Sequence, residues 1–173
     1  MAEVSVQVVG LKEALRTLNK IDKSARRQVT KDYRKIVDPV VKDARAHISK
    51  QAPLSGFKYP MRKGPNEKPL WTGKEASAVR AYVSGKKPRT FGAYTSSLGV
   101  FGIRWGLATA ALFDQSHNFK TRQGQSMIDV LNRTFGNPSR IMWKAWERSH
   151  NGVEEGMRDL INRVMAQTQK ELR

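Results

Sequence analysis

The chain has 173 residues, 39% of them hydrophobic, which suits one domain, residues 1–173, with one core. It has no cysteine, so disulfides, thiolate nucleophiles and cysteine-based zinc sites are excluded. Thirty-two Lys and Arg stand against 15 Asp and Glu, a net charge of +17, and so strong an imbalance favours a polyanionic neighbour, nucleic acid or an acidic protein surface, over a merely solubilising surface.

Mean hydropathy is −0.59 and the isoelectric point is near 10.5. No apolar run approaches the roughly 20 residues that a bilayer needs, and the first residues lack the pattern of a signal peptide. The expectation is a protein kept in a cytoplasm, or in a particle assembled there, with no membrane partner. The charge is uneven. Residues 51–90 hold nine basic and two acidic residues, whereas residues 151–173 hold four of each.

Val4, Val6 and Val8 alternate with polar residues and predict a short strand. Leu11, Leu15 and Leu18 are spaced as a small helix. A second stripe follows at Ala25, Val29, Tyr33, Ile36, Val40, Ala44 and Ile48, with Lys and Arg on the other faces. It predicts a long basic amphipathic helix ending before Pro53, kinked at Pro39 because proline removes a backbone donor. Residues 78–84 and 89–95 read as strands around a turn at residues 85–88. In residues 98–105, Phe101, Ile103 and Trp105 point one way and form the clearest strand. Residues 110–113 suggest one more, and residues 114–124 a polar surface loop. Ser126 is expected to cap a short helix, and Asn137-Pro138 to open a final helix. That helix carries Met142, Trp146, Val153, Met157, Leu160, Ile161 and Val164, with a break possible near Gly152. The fold class expected is α+β: a long kinked N-terminal helix and a C-terminal helix packed on a small antiparallel sheet, with a long basic loop.

That loop is residues 51–73. It carries four prolines and three glycines without a helix or strand period, and it reads as an extended arm that gains order from a neighbour. Phe57, Tyr59, Met61 and Trp71 are its candidate interface residues. Lys58, Arg62, Lys63 and Lys68, with Lys86, Lys87 and Arg89 beyond it, are the candidate contacts for phosphate or an acidic partner.

Catalytic signatures are weak. Asp114, Ser116 and His117 are neighbours in sequence, which does not make a triad. His47 and His150 suit helix ends. No spacing suggests a metal, and Gly99 to Gly106 follow no phosphate-binding pattern. Trp143 and Trp146 lie three apart, which favours core packing, as does the strand position of Trp105. The expectation is a protein that is not an enzyme and needs no cofactor.

The two ends carry a resemblance. The chain opens VSVQVVGLKEALRTLNKIDKSARRQVTKDYRKIVDPVVKDARAHISKQAP and closes NPSRIMWKAWERSHNGVEEGMRDLINRVMAQTQKEL. This order of short strand, GL, small helix and long basic helix resembles the tail-completion or neck proteins of long-tailed phages, the family that includes the lambda tail protein Z. Residues 47–53 stand where the family has A-x-x-x-A-P-like text. Residues 138–146 stand where it has proline and an aromatic-bearing start to the final helix. The middle departs from the pattern. LSGFKYPMRKGPNEKPLWTGKEA replaces the usual V-D-T-G-x-L, with Trp71-Thr72-Gly73 as its remnant. Leu112-Phe113-Asp114 takes the place of E-F-G without the glycine.

The resemblance implies a structural virion protein of the head–tail junction, assembled in the host cytoplasm. Copies would form a homo-oligomeric ring, six-fold, touching the tail terminator and the head–tail connector. DNA passing through such a ring allows non-specific contact with a basic surface. The rival expectation, resting on charge alone, is a sequence-independent nucleic-acid-binding protein.

Overall fold

The computed structural model describes residues 2–7, 23–60, 68–84, 89–91, 94–96 and 100–171. The elements in order are β1 (Ala2–Gln7), α1 (Lys23–Ala46), 3-10 turns at Ser55–Lys58 and Ala76–Ala78, then β2 (Val79–Ser84), β3 (Arg89–Phe91), β4 (Tyr94–Ser96) and β5 (Val100–Trp105). A short helical turn at Ala108–Ala110 widens into a π-turn at Ala111–Gln115, and α2 (Arg122–Phe135) and α3 (Met142–Glu171) complete the chain. The architecture is α+β. Strands β1, β5 and β2 form one sheet in that order, and β3 pairs antiparallel with β4, Thr90 opposite Thr95. The expected small helix at Leu11, Leu15 and Leu18, and Val8 of the first strand, lie outside the described residues.

Backbone contacts cluster into two compact units. The first is Met1–Val4, Val40–Arg80 and Arg104–Arg148, and the second is Ser5–Pro39, Ala81–Ile103 and Ser149–Arg173.

In the second unit Val29, Tyr33 and Val37 of α1 are buried, as are Phe101 and Ile103 of β5 and Val153, Met157, Leu160 and Val164 of α3. The Tyr33 and Phe101 rings lie 4.4 Å apart at 39°. Burial pushes the Tyr33 phenol well above its ordinary pKa, so it stays neutral and packs as an aromatic. Two glycines permit close approach. A Cβ at Gly102 would collide with the Tyr82 ring, and one at Gly156 would lie 3.0 Å from Ile36 Cγ2. Gly156 thus sets how closely α3 meets α1. Gly152 faces open space, and α3 runs unbroken past both.

These glycines carry a direct test. Gly152→Ala should stabilise the protein by roughly 0.5–1 kcal/mol, the helix-propensity gain. Gly156→Val should cost about 1–3 kcal/mol because Ile36 must move. Urea denaturation of the two variants reads this, and equal shifts would remove Gly156 from its packing role.

In the first unit the buried apolar residues include Val40, Val41, Ala44 and Ile48 of α1 and its end, Val79, Trp105, Ala110, Phe113, Ile128, Leu131, Ile141, Met142 and Ala145. Arg45 donates to the Val79 carbonyl from Nε at 3.1 Å and Nη2 at 2.8 Å, tying the last turn of α1 to the start of β2. His47 Nδ1 lies 2.8 Å from the Asp43 carbonyl, at the helix end as expected.

Several local expectations change. Helix α1 does run through Pro39 as the single helix expected, with buried apolar residues on both sides of the proline; other details differ. The single strand expected over residues 89–95 is replaced by two paired strands, Arg89–Phe91 and Tyr94–Ser96. Residues 110–113 are helical, which turns Ala110 and Phe113 into the first unit's core. Helix α2 begins a turn earlier than Ser126, capped by Thr121, whose Oγ1 accepts from Gly124 N at 3.2 Å. Trp143 is 48% exposed and its indole donates to Glu147 Oε1 at 2.6 Å, so it is not a core residue.

Candidate functional site

Residues 51–60 and 68–73 are anchored within the first unit. The 3-10 turn at Ser55–Lys58 drives Phe57 inward, and Phe57 is 1% exposed while Trp71 is 5% exposed. Their rings meet edge-on at 5.9 Å, and Trp71 meets Phe113 at 5.6 Å and Trp105 at 6.1 Å. Phe113 continues the contact to Phe135 at 5.1 Å. The backbone follows: Trp71 N donates to Phe57 O at 2.8 Å, Leu70 N to Tyr59 O at 3.1 Å, and Trp71 Nε1 to Ser49 O at 3.1 Å.

Phe57 and Trp71 are therefore core residues of this chain, which corrects their assignment as interface residues of a free arm. Large rings can close a core from a segment that has no period, since each buries some 150–250 Å² wherever the chain delivers it. Tyr59, 67% exposed, stays outside that core. Lys58 and Lys68 are exposed. Met61, Arg62, Lys63, Lys86 and Lys87 lie outside the described residues. Arg89 opens β3 opposite Ser96, and its side chain lies outside the description.

A turn closed by the Thr72 and Glu75 side chains, with the hydrogen bonds of a capping box in part, fixes the far end of the segment. Glu75 Oε1 accepts from Thr72 N at 2.7 Å and from Thr72 Oγ1 at 3.1 Å, and Lys74 N donates to Thr72 Oγ1 at 3.4 Å. The T-G-K-E spacing was a readable signal for this. Glu75 is buried and its Oε2 has no hydrogen-bond partner among the described residues, so this carboxylate serves the turn and does not line the surface.

Between the end of α1 and this box lies a cleft of about 560 Å³, lined by Lys50, Gln51, Ala52, Lys58, Pro69, Trp71, Thr72 and Gly73. Gly73 takes φ +77° there, with the Lys50 carbonyl 3.4 Å from where a Cβ would stand. Among the described lining residues every titratable side chain is a lysine. Among the described residues neither Lys50 nor Lys58 makes an ion pair. The cleft is suited to holding anions, and Lys50 is the member that the sequence reading missed. Its signal was the proline three residues on, which turns the chain back across the helix end.

A second buried polar cluster lies at the start of α3. Asp114, 1% exposed, accepts at Oδ1 from Ile141 N at 2.6 Å and Met142 N at 3.4 Å. It caps α3 from 27 residues away, in the role expected of Asn137-Pro138, and so is not part of a surface loop. Dehydration raises its pKa, opposed by those two N–H groups and by the charges of Arg140 and Lys144. Arg140, also buried, donates to the Phe113 and Ser116 carbonyls and to Asn132 Oδ1, and burial lowers its pKa. Every acceptor here is structural. Among the described residues no group of three or more His, Asp or Glu could hold a metal, and no helix is long and apolar enough to cross a membrane.

Compared with protein-family models, curated proteins and solved structures, the chain has no match.

Proposed function

We propose that this protein is a structural component of a phage head–tail junction, a neck or tail-completion protein that acts as a ring, six-fold, between tail terminator and capsid connector. The observation that carries the reading is the order of elements joined to the resemblance of the two chain ends. A long basic helix, a small set of strands and a final helix with an aromatic first turn follow one another as the resemblance implies. The +17 charge supports it, since a ring around a DNA path benefits from phosphate attraction without sequence reading.

The test is deletion of the gene from the phage that encodes it. Filled heads and separate, unjoined tails are expected in electron micrographs, and normal joined particles would overturn the reading. Sequence-independent nucleic-acid binding as the sole function is favoured only by the charge. Purified protein should leave duplex DNA well below about 0.5 M salt, because binding by charge alone is steeply screened. Retention above that concentration would support the rival.

A further inference from the structure

We infer that the Lys50–Lys58 cleft is a docking site for an acidic peptide segment of a neighbouring protein. The inference rests on the assembly reading above for the identity of that neighbour, but not for the chemistry of the cleft.

Three observations select this occupant. The first is charge. Lys50 and Lys58 are both exposed, and among the described residues neither makes an ion pair and the lining has no acidic side chain. Two ammonium groups that face one recess, with no ion pair among the described residues, repel each other and gain from an anion between them. The second is shape. About 560 Å³ falls within the roughly 300–1,000 Å³ typical of ligand clefts. Such a recess admits a carboxylate with its aliphatic stem, laid along Ala52 and Pro69. A duplex backbone is instead met by protruding side chains. The third is the state of Trp71. At 5% exposure, with its indole N–H already given to the Ser49 carbonyl, it offers no free face for stacking a base. Acidic side chains fit all three observations and nucleic acid fits only the first.

Contacts within the chain also build the walls of the cleft. The Thr72–Glu75 box, the Trp71 N to Phe57 O hydrogen bond and the buried Phe57 ring hold its walls before any partner arrives. Preorganisation of this kind lowers the ordering cost of association.

The experiment titrates the full-length protein into a fluorescein-labelled hexaglutamate peptide at about 0.15 M salt and reads anisotropy. Two variants of equal charge change are compared, Lys50→Glu with Lys58→Glu, and Lys31→Glu with Lys35→Glu on the exposed face of α1. The cleft variant should bind at least about ten-fold more weakly than wild type, the α1 variant less than about three-fold. Equal weakening in both would reduce the effect to net charge and overturn the proposal. So would unchanged binding in the cleft variant. Thermal melting checks both folds, and Lys50→Gln with Lys58→Gln, which adds no negative charge, should also lose affinity, by a smaller factor. A short DNA duplex of equal charge should not displace the peptide from wild type more effectively than unlabelled hexaglutamate; if it does, the cleft belongs to nucleic acid. Failure here leaves the deletion experiment untouched. Joined particles in the deletion strain would overturn the neck reading while leaving the peptide site standing.

Discussion

Phe57→Ala lowers the stability of the free protein by about 3–5 kcal/mol, the range for truncating a buried phenylalanine. The reason is specific to its place. Phe57 touches Trp71 and Phe113 edge-on, at 5.9 and 6.5 Å, and Trp71 and Phe113 in turn both contact Trp105. Removing the ring opens a cavity under the 3-10 turn and loosens the wall of the lysine cleft. Tyr59→Ala, two residues on and largely exposed, should change stability by less than about 0.5 kcal/mol. Urea denaturation of the two purified variants separates these outcomes. If Phe57→Ala melts like wild type, the segment is not folded into the core and the free-arm reading returns.

Arg140→Met costs about 3–5 kcal/mol, because it takes the donors from one buried and two part-buried acceptors and the positive charge from beside Asp114. Asp114→Ala should cost a similar amount, leaving the Ile141 and Met142 N–H groups unsatisfied at the start of α3. Asp114→Asn keeps an acceptor oxygen and should cost less than either. The pH dependence follows from the raised pKa. The folded protein binds the Asp114 proton more readily than the unfolded chain, whose value is 3.8. This group's contribution to stability therefore falls as pH rises from 3.8 through the folded value. Wild type should gain stability relative to Asp114→Asn as pH is lowered from 7 towards 4. Chemical denaturation across that range measures it. A relative loss for wild type would mean that the cap's hydrogen bonds outweigh dehydration and hold the pKa down.

Periodicity alone placed the long elements. The stripe from Val29 to Ile48 needs only a helix with one wet face, so the positions of Lys and Arg between apolar residues are sufficient. Even there the neighbour matters: Val37 is buried, while Ile36 lies at the side of the stripe against Gly156. Phe101, Ile103 and Trp105 alternate with a period of two, and all three are buried in β5. The charge excess, too, is a property of composition.

Tertiary structure decided what residues without a local period do. Phe57 and Trp71 are 14 positions apart in a stretch rich in proline and glycine, and each becomes core only because the other, with Trp105 and Phe113, is brought to meet it. Asp114 reads as a loop residue until the chain returns at Ile141, and no local signal announces a cap supplied from so far away. Ala110 to Phe113 are short and apolar, a pattern that suits strand and helix equally; burial of Phe113 against Trp105 and Phe135 favours the helical turn. Lys50 and Lys58 face one cleft because Pro53 and the 3-10 turn fold the chain back over the end of α1. Contacts within a turn or a strand repeat are written in the order of residues, whereas contacts across 14 or more residues depend on where the whole chain puts them.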